Sequence, residues 1–285
     1  MTASKAARWT ARILLALGIL ALVAVAAVYA LSQRALGEGS ELPAPRLATP
    51  TAAQLADAPR QLHVLGCLGC HGEGLKGSKF FDDPKLAVLW APNLTRIAAK
   101  ADDATLDRAI RRGVGVDGRA LIIMPSEGYQ YLTDQEAAAL ITAIRAYPAS
   151  GKETPARSIG PIGRIGLVAG RFRTQPDLAA EFARRPLPDF GPATALGRHM
   201  TATKCVECHG INLKGQELEP GVVSADLSIA GAYDLAQFKT LMREGKAPSG
   251  KDIGLMGEVA RGDFKHMTDE ELASLHAYLV AHANR

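Results

Sequence analysis

Four cysteines constrain this chain more than any other feature, because all of them fall into two units of one form. These are Cys67-Leu68-Gly69-Cys70-His71 and Cys205-Val206-Glu207-Cys208-His209. Each unit is followed by the same short signature, Gly72 then Leu75-Lys76-Gly77, and Gly210 then Leu213-Lys214-Gly215. The likeness continues downstream. Leu106 to Gly113 matches Phe238 to Gly245, each a short helix stopped by glycine. Thr133-Asp134-Gln135-Glu136 matches Thr268-Asp269-Glu270-Glu271, and both have the form of a capping box. The helices these boxes open carry Ala137, Leu140, Ile141 and Ile144 against Leu272, Leu275, His276 and Leu279. That is an i, i+3, i+4, i+7 stripe facing a core. A repeat of this kind makes two like domains, and 285 residues are enough for each to bury a core of its own. Alternating β-branched runs are few, so the expected fold class is all-α.

Two thiols two residues apart with a histidine directly after them form the attachment signature of c-type haem. The thiols reach the two vinyl groups as thioethers, and the histidine puts a ring nitrogen on the iron. Three rival readings fit less well. A four-cysteine zinc site requires the two distant pairs to meet and leaves both histidines without a purpose. A disulfide across two residues constrains little chain, and a thioredoxin-like pair expects a strand–helix setting. Cys67, Cys70, Cys205 and Cys208 are therefore expected to hold two covalently bound haem c groups, with His71 and His209 on the irons.

A second axial ligand is sought next. Met124, followed by Pro125, lies 53 residues after His71, and Gly113 to Met124 is 11 residues, as is Gly245 to Met256. The repeat register thus selects Met124 and Met256 as iron ligands. Met267 is a rival in the second domain, but it corresponds to Leu132, which cannot ligate; Met242 corresponds to Ile110 and reads as core. His63 and His199 sit on the helices leading into the motifs and would approach the wrong side of the ring. His266, His276 and His282 read as surface or half-buried side chains. Trp90 and Asn93 could serve a haem propionate, and Arg111, Arg112 and Arg243 read mainly as solvated helix charge.

Ile13 to Leu31 is a run of 19 apolar or small residues without charge, long enough as a helix to cross the roughly 30 Å hydrocarbon core. Lys5, Arg8 and Arg12 precede it, so the positive-inside bias puts Met1 in the cytoplasm and the rest of the chain outside. A cleaved signal peptide is the competing reading, although its apolar core is usually shorter. Residues 32–285 carry 30 basic and 29 acidic side chains, a balance that offers nothing to nucleic acid. The expected organisation is an anchor at 1–31, a Pro/Ala/Thr-rich tether at 32–55, a first domain at 56–148, an irregular surface connector at 149–191 and a second domain at 192–285.

With these residues in view, both halves resemble the cytochrome c domain family. The first carries the likeness in Pro92-Asn93-Leu94-Thr95, Arg108 to Val114, Asp117-Gly118-Arg119, Met124-Pro125 and Leu132-Thr133-Asp134, the second in Cys205 to Gly215, Leu241 to Gly245 and Met256 to Leu279. The arrangement is similar to the cytochrome subunits of membrane-bound bacterial alcohol- and gluconate-type dehydrogenases. Those typically bear three haems and a C-terminal anchor, whereas this chain has two motifs and an N-terminal apolar segment. The resemblance implies two tandem cytochrome c domains, and the apolar run from Ile13 to Leu31 adds an N-terminal transmembrane helix ahead of them. The resemblance also implies His/Met-ligated haem and electron transfer, but not which enzyme is the partner. The expected partners are redox proteins of a respiratory dehydrogenase or oxidase complex, and the charge flank of the apolar run puts the haem domains at the periplasmic face of the inner membrane. The alternative is a dihaem oxidoreductase, a peroxidase or sulfur-compound dehydrogenase with catalysis at one haem. Two equivalent sites without a further acid–base cluster favour a carrier over a catalyst.

Overall fold

A computed structural model describes residues 2–37, 39–219 and 221–285. Met1, expected on the cytoplasmic side, and Glu38, just past the apolar run, lie outside them. Helix α1 (Thr2–Gly37) is one continuous helix, and its Ala7–Gly37 part is long and apolar enough to cross a membrane. Its apolar side chains from Ile13 to Leu31 stand exposed apart from the half-buried Val28, while near its end Ser32 is buried beside Arg164 of the connector and Leu36 beside Ala120 of the first domain.

The first domain is built from α2 (Ala52–Val64), α3 (Cys67–His71), α4 (Leu94–Ala98), α5 (Asp103–Arg112), α6 (Ser126–Tyr129) and α7 (Asp134–Arg145). Helices α2 and α7 pack against each other. They close a core of Leu62, Leu75, Leu106, Leu132, Leu140, Ile141 and Ile144. Thr51 and Thr133 each cap their helix in a full capping box, with Gln54 and Glu136 returning the bond. Strands β1 (Ser78–Asp83) and β2 (Ala87–Ala91) form a bulged antiparallel pair between α3 and α4.

The stretch expected as an irregular connector is more ordered than its prolines suggest. Strand β3 (Ser158–Ile159) adds to β2, and helices α8 (Pro161–Val168) and α9 (Gln175–Ala183) follow. Both helices begin with proline in the first turn, where its missing N–H costs nothing; proline here starts helices. The segment expected as a tether also lies on the first domain: Arg111 and Arg112 donate to the carbonyls of Arg46 and Pro43, and the Ala48 amide donates to the Asp134 carbonyl.

The second domain repeats the plan with α10 (Ala195–Lys204), α11 (Val206–His209), α12 (Leu235–Glu244), α13 (Leu255–Gly262) and α14 (Asp269–Ala283), plus a hairpin of β4 (Glu217–Glu219) and β5 (Val222–Val223). Helices α10 and α14 pack as α2 and α7 do. Gly197 seats α10 on the Ser274 carbonyl, where a Cβ would lie 2.0 Å from that oxygen. Thr268 and Glu271 form the matching capping box. The core comprises Val206, Leu213, Phe238, Leu272, Leu275 and Tyr278, together with Met242, as its register with Ile110 requires.

Candidate functional site: two Cys-x-x-Cys-His loops

Each motif occupies a short helix, α3 or α11, that continues almost directly from the longer helix before it. The loop beyond is the same in both domains. Gly72 and Gly210 turn the chain with φ near +74° and +71°, and Leu75 and Leu213 take the left-handed region at φ +58° and +60°. That region is uncommon for leucine, and both side chains are fully buried, so packing holds the backbone there. The Gly77 and Gly215 amides then return to the carbonyls of His71 and His209, at 2.7 and 3.0 Å.

Gly77 and Gly215 have a further reason to lack a side chain. Besides φ of +87° and +82°, a Cβ would lie 3.0 Å or less from the Ala91 carbonyl and Asn93 amide in one domain, and 2.1 Å from the Ser224 carbonyl in the other. This close approach brings the segments at Pro92 and Ala225 over the motif histidines. His71 Nδ1 is 2.8 Å from the Pro92 carbonyl, and His209 Nδ1 is 2.7 Å from that of Ala225. A carbonyl only accepts, so Nδ1 carries the hydrogen and Nε2 keeps its lone pair. Both rings are buried, and that desolvation lowers their pKa below the ordinary histidine value despite the opposing carbonyl bonds. Each is a neutral, oriented imidazole with Nε2 available to a metal, held by the carbonyl contact that orients metal-binding histidines in general.

The four thiols are free, one pair in each domain. Burial pushes them up, to about 12 for Cys67, Cys205 and Cys208 and about 11 for Cys70. Among the described residues no three His, Cys, Asp or Glu side chains gather around one point. Two thiols beside an oriented imidazole, twice over, fit covalent haem.

The methionine-bearing loops also share one register. Gly113 and Gly245 end α5 and α12 in the left-handed conformation. Bridges Val114–Ala120 and Lys246–Asp252 follow at equal spacing, with glycines 118 and 250 at their turns. Met124 and Met256 come next, each half-buried against its own domain's core. Their settings differ: Met124 precedes α6, whereas Met256 lies in the first turn of α13. Met267 is 3% exposed inside the core at the place held by Leu132 in the first domain.

Other candidates are engaged elsewhere. Asn93 caps α4 and donates to the Ser150 and Lys152 carbonyls. Trp90 is half-buried in β2 beneath Lys79. His63 stacks on His266, and His276 Nε2 lies 2.9 Å from the Tyr233 carbonyl. Arg111, read as solvated, is 4% exposed and makes a two-pronged ion pair with Asp107, at 2.6 Å for each bond, plus bonds to Asp134 and the Leu132 carbonyl. An amphipathic-looking helix charge gave no local signal of this. Arg243 meets Asp269 in the matching place but remains exposed.

The domains pack reciprocally around their motifs. Arg60 on α2, ahead of Cys67, clasps Glu271 of the second domain at 2.7 and 2.8 Å. In the opposite direction His199 on α10, ahead of Cys205, meets Glu136 of the first domain at 2.9 Å. Each glutamate is also the returning residue of its capping box, so the cap fixes it in place for the partner domain. Asp263 lies over Gly66 and Gly69 beside the first motif, and Gly128 lies on the Ala202 and Thr203 carbonyls beside the second. No sequence pattern pointed to this mutual embrace, because each partner pair is more than 60 residues apart.

Glu127, on α6, is 5% exposed, and its Oε2 has no hydrogen-bond partner. Burial pushes its carboxyl up to about 7, against smaller opposing hydrogen bonds. The unfolded chain releases this proton near pH 4.5 and the folded one near pH 7, so stability falls as pH rises between those values and stays lower above them. Glu127→Gln is therefore expected to match the parent at pH 4 and to exceed it by about 3 kcal/mol at pH 8. Urea unfolding at the two pH values checks this; equal effects at both would show that the carboxyl titrates normally.

The cytochrome c family matches residues 194–283, and the family of subunit III of cbb3-type cytochrome c oxidase matches residues 54–142. No curated protein matches the chain. The two matched spans enclose the two motifs, their histidine-holding loops and both methionines, and leave out α1 and the connector. The chain thus carries two tandem cytochrome c domains, electron-transfer domains of the kind that holds haem c covalently.

Proposed function

We propose that this chain is a membrane-anchored, exported dihaem cytochrome that passes electrons from a respiratory dehydrogenase or quinol-oxidising complex to a high-potential acceptor such as a terminal oxidase. The single observation that carries the reading is the twofold occurrence of a buried histidine with Nδ1 pinned to a backbone carbonyl beside two free thiols. Cys67 and Cys70 would hold one haem, with His71 and Met124 on its iron. Cys205 and Cys208 would hold the other, with His209 and Met256. When bound, such a group takes up and releases one electron, and methionine opposite histidine raises its potential relative to two histidines.

The polypeptide's own contribution is positional. Pro92 and Ala225 hold the imidazoles in one tautomer, and Met124 and Met256, half-buried on their cores, would supply the second ligand to each iron. The Arg60–Glu271 and His199–Glu136 pairs tie the helix leading into each motif to the capped helix of the other domain, an arrangement suited to traffic between the two centres. The likeness of the first domain to an oxidase subunit supports an oxidase acceptor; the dehydrogenase-type resemblance noted in the sequence supports a dehydrogenase donor. Export of both domains follows from the Lys5, Arg8 and Arg12 flank of the apolar helix.

The direct test is the mass of the denatured chain from cells competent in haem attachment. Two haems are expected to stay bound, with one lost in a Cys67→Ser/Cys70→Ser variant and the other in Cys205→Ser/Cys208→Ser. A parent mass with one haem or none would sink the proposal.

A further inference from the structure

Helix α8, between the two cytochrome domains, has one face that the described residues leave uncovered. Its inner face is glycine: Gly163 lies on the Leu86 carbonyl and Gly166 under the Phe172 ring. By the helical period the outer face collects Pro161, Ile162, Ile165, Val168 and Ala169, all exposed, with Phe172 just beyond. This face carries no charge. Ile162 and Ile165 are 52% and 56% exposed, a costly arrangement in water for side chains that could have been polar.

The position of α8 says what would cover that face. Arg164, on its flank, lays its guanidinium 4.2 Å from the Tyr29 ring centroid. The same side chain donates to Ser32 Oγ at 2.8 Å and to Gln33 Oε1 at 3.2 Å. These are the residues where the exposed apolar run of α1 gives way to polar ones. Tyr29 and Arg164 thus mark the level at which a spanning α1 leaves the hydrocarbon, and interfacial tyrosine is characteristic there. At that level α8 is packed beside α1, so its exposed apolar face sits where the apolar run of that helix ends. Lys85 and Arg171 stand exposed near its two ends, where basic groups can meet lipid phosphates.

We propose that α8 is an interfacial helix that lies in the headgroup–acyl boundary of the membrane α1 crosses, inserting Ile162, Ile165, Val168 and Phe172. The inference rests on α1 being an anchor and goes beyond it. A single helix leaves the domains free to swivel, whereas two contacts joined by Arg164 fix which side of the cytochrome pair faces the bilayer and which faces soluble partners.

The full chain with both haems, reconstituted in vesicles of phosphatidylethanolamine and phosphatidylglycerol, can be photolabelled with a carbene-generating acyl-chain probe and mapped by peptide mass spectrometry. Label on residues 161–172 as well as 13–31 is expected. Label on 13–31 alone would overturn the inference while leaving the anchor standing, as it would if a protein partner covers α8. Label on neither segment would overturn both readings. Ile162→Asp/Ile165→Asp is expected to lose the label on 161–172 while retaining that on 13–31 and an unchanged haem spectrum. Full labelling of 161–172 in that variant would also overturn the inference, and should the variant not fold, the parent's label map alone decides.

Discussion

Arg111→Ala is expected to destabilise the protein by about 3–5 kcal/mol, the range for removing one partner of a buried ion pair. Asp107 is fully buried, and both of its carboxylate oxygens accept from Arg111. Without the guanidinium that carboxylate is left without its partner charge. The carbonyls of Leu132 and Arg46 also lose a donor, which removes one of the bonds holding the segment before α2 to the domain. Arg243→Ala provides the internal control, since its pair with Asp269 is exposed and screened. Urea unfolding followed by circular dichroism should show a far smaller loss for the control than for Arg111→Ala. Equal losses would mean that burial of the first pair contributes nothing. Arg111→Met combined with Asp107→Leu should recover much of the loss, because an apolar pair of similar volume needs no charge compensation.

Met124→His and Met256→His are each expected to lower the reduction potential of one centre only, by on the order of 0.1 V or more within the roughly 0.8 V that axial ligands span. The Met–iron charge-transfer band should fall by half in each and vanish in the double variant. Met267→His separates ligation from packing. It puts an imidazole into a core position that is 3% exposed, so about 1–3 kcal/mol of stability should be lost for the unpaired polar group while both potentials stay unchanged. A potential shift in Met267→His without one in Met256→His would displace the second-domain ligand by 11 residues and overturn the ungapped register. Redox titration of the three variants decides between these outcomes.

That register shows what local pattern can reach. The glycine helix stops, the two capping boxes and the spacing to each methionine could all be counted along the chain, and the structure gives each domain the same bridged hairpin at the same offset. These features are legible because each depends on residues a few positions apart: a threonine caps its own helix, and a glycine ends one. The connector shows the opposite case. Its prolines looked like interruptions, yet two of them sit in the first turns of α8 and α9. Whether a proline starts or stops a helix depends on what receives the following turn, here the Leu86 carbonyl for α8 and the back of α6 for α9.

By itself the sequence determined that there are two alike helical domains, that each carries one Cys-x-x-Cys-His unit of the spacing haem attachment uses, and that one apolar segment precedes them. Short-range spacing encodes all of this, and short-range spacing survives in any plausible packing of the chain. Only the tertiary structure decided that Pro92 and Ala225 hold the histidines, that Arg111 is buried, and that the capping glutamates clasp the opposite domain. It alone placed α8 beside the end of α1. Each of these joins residues separated by 16 to 211 positions, or turns on burial. Burial and partner choice are properties of the packed chain, since a charge is solvated or paired according to what folds over it.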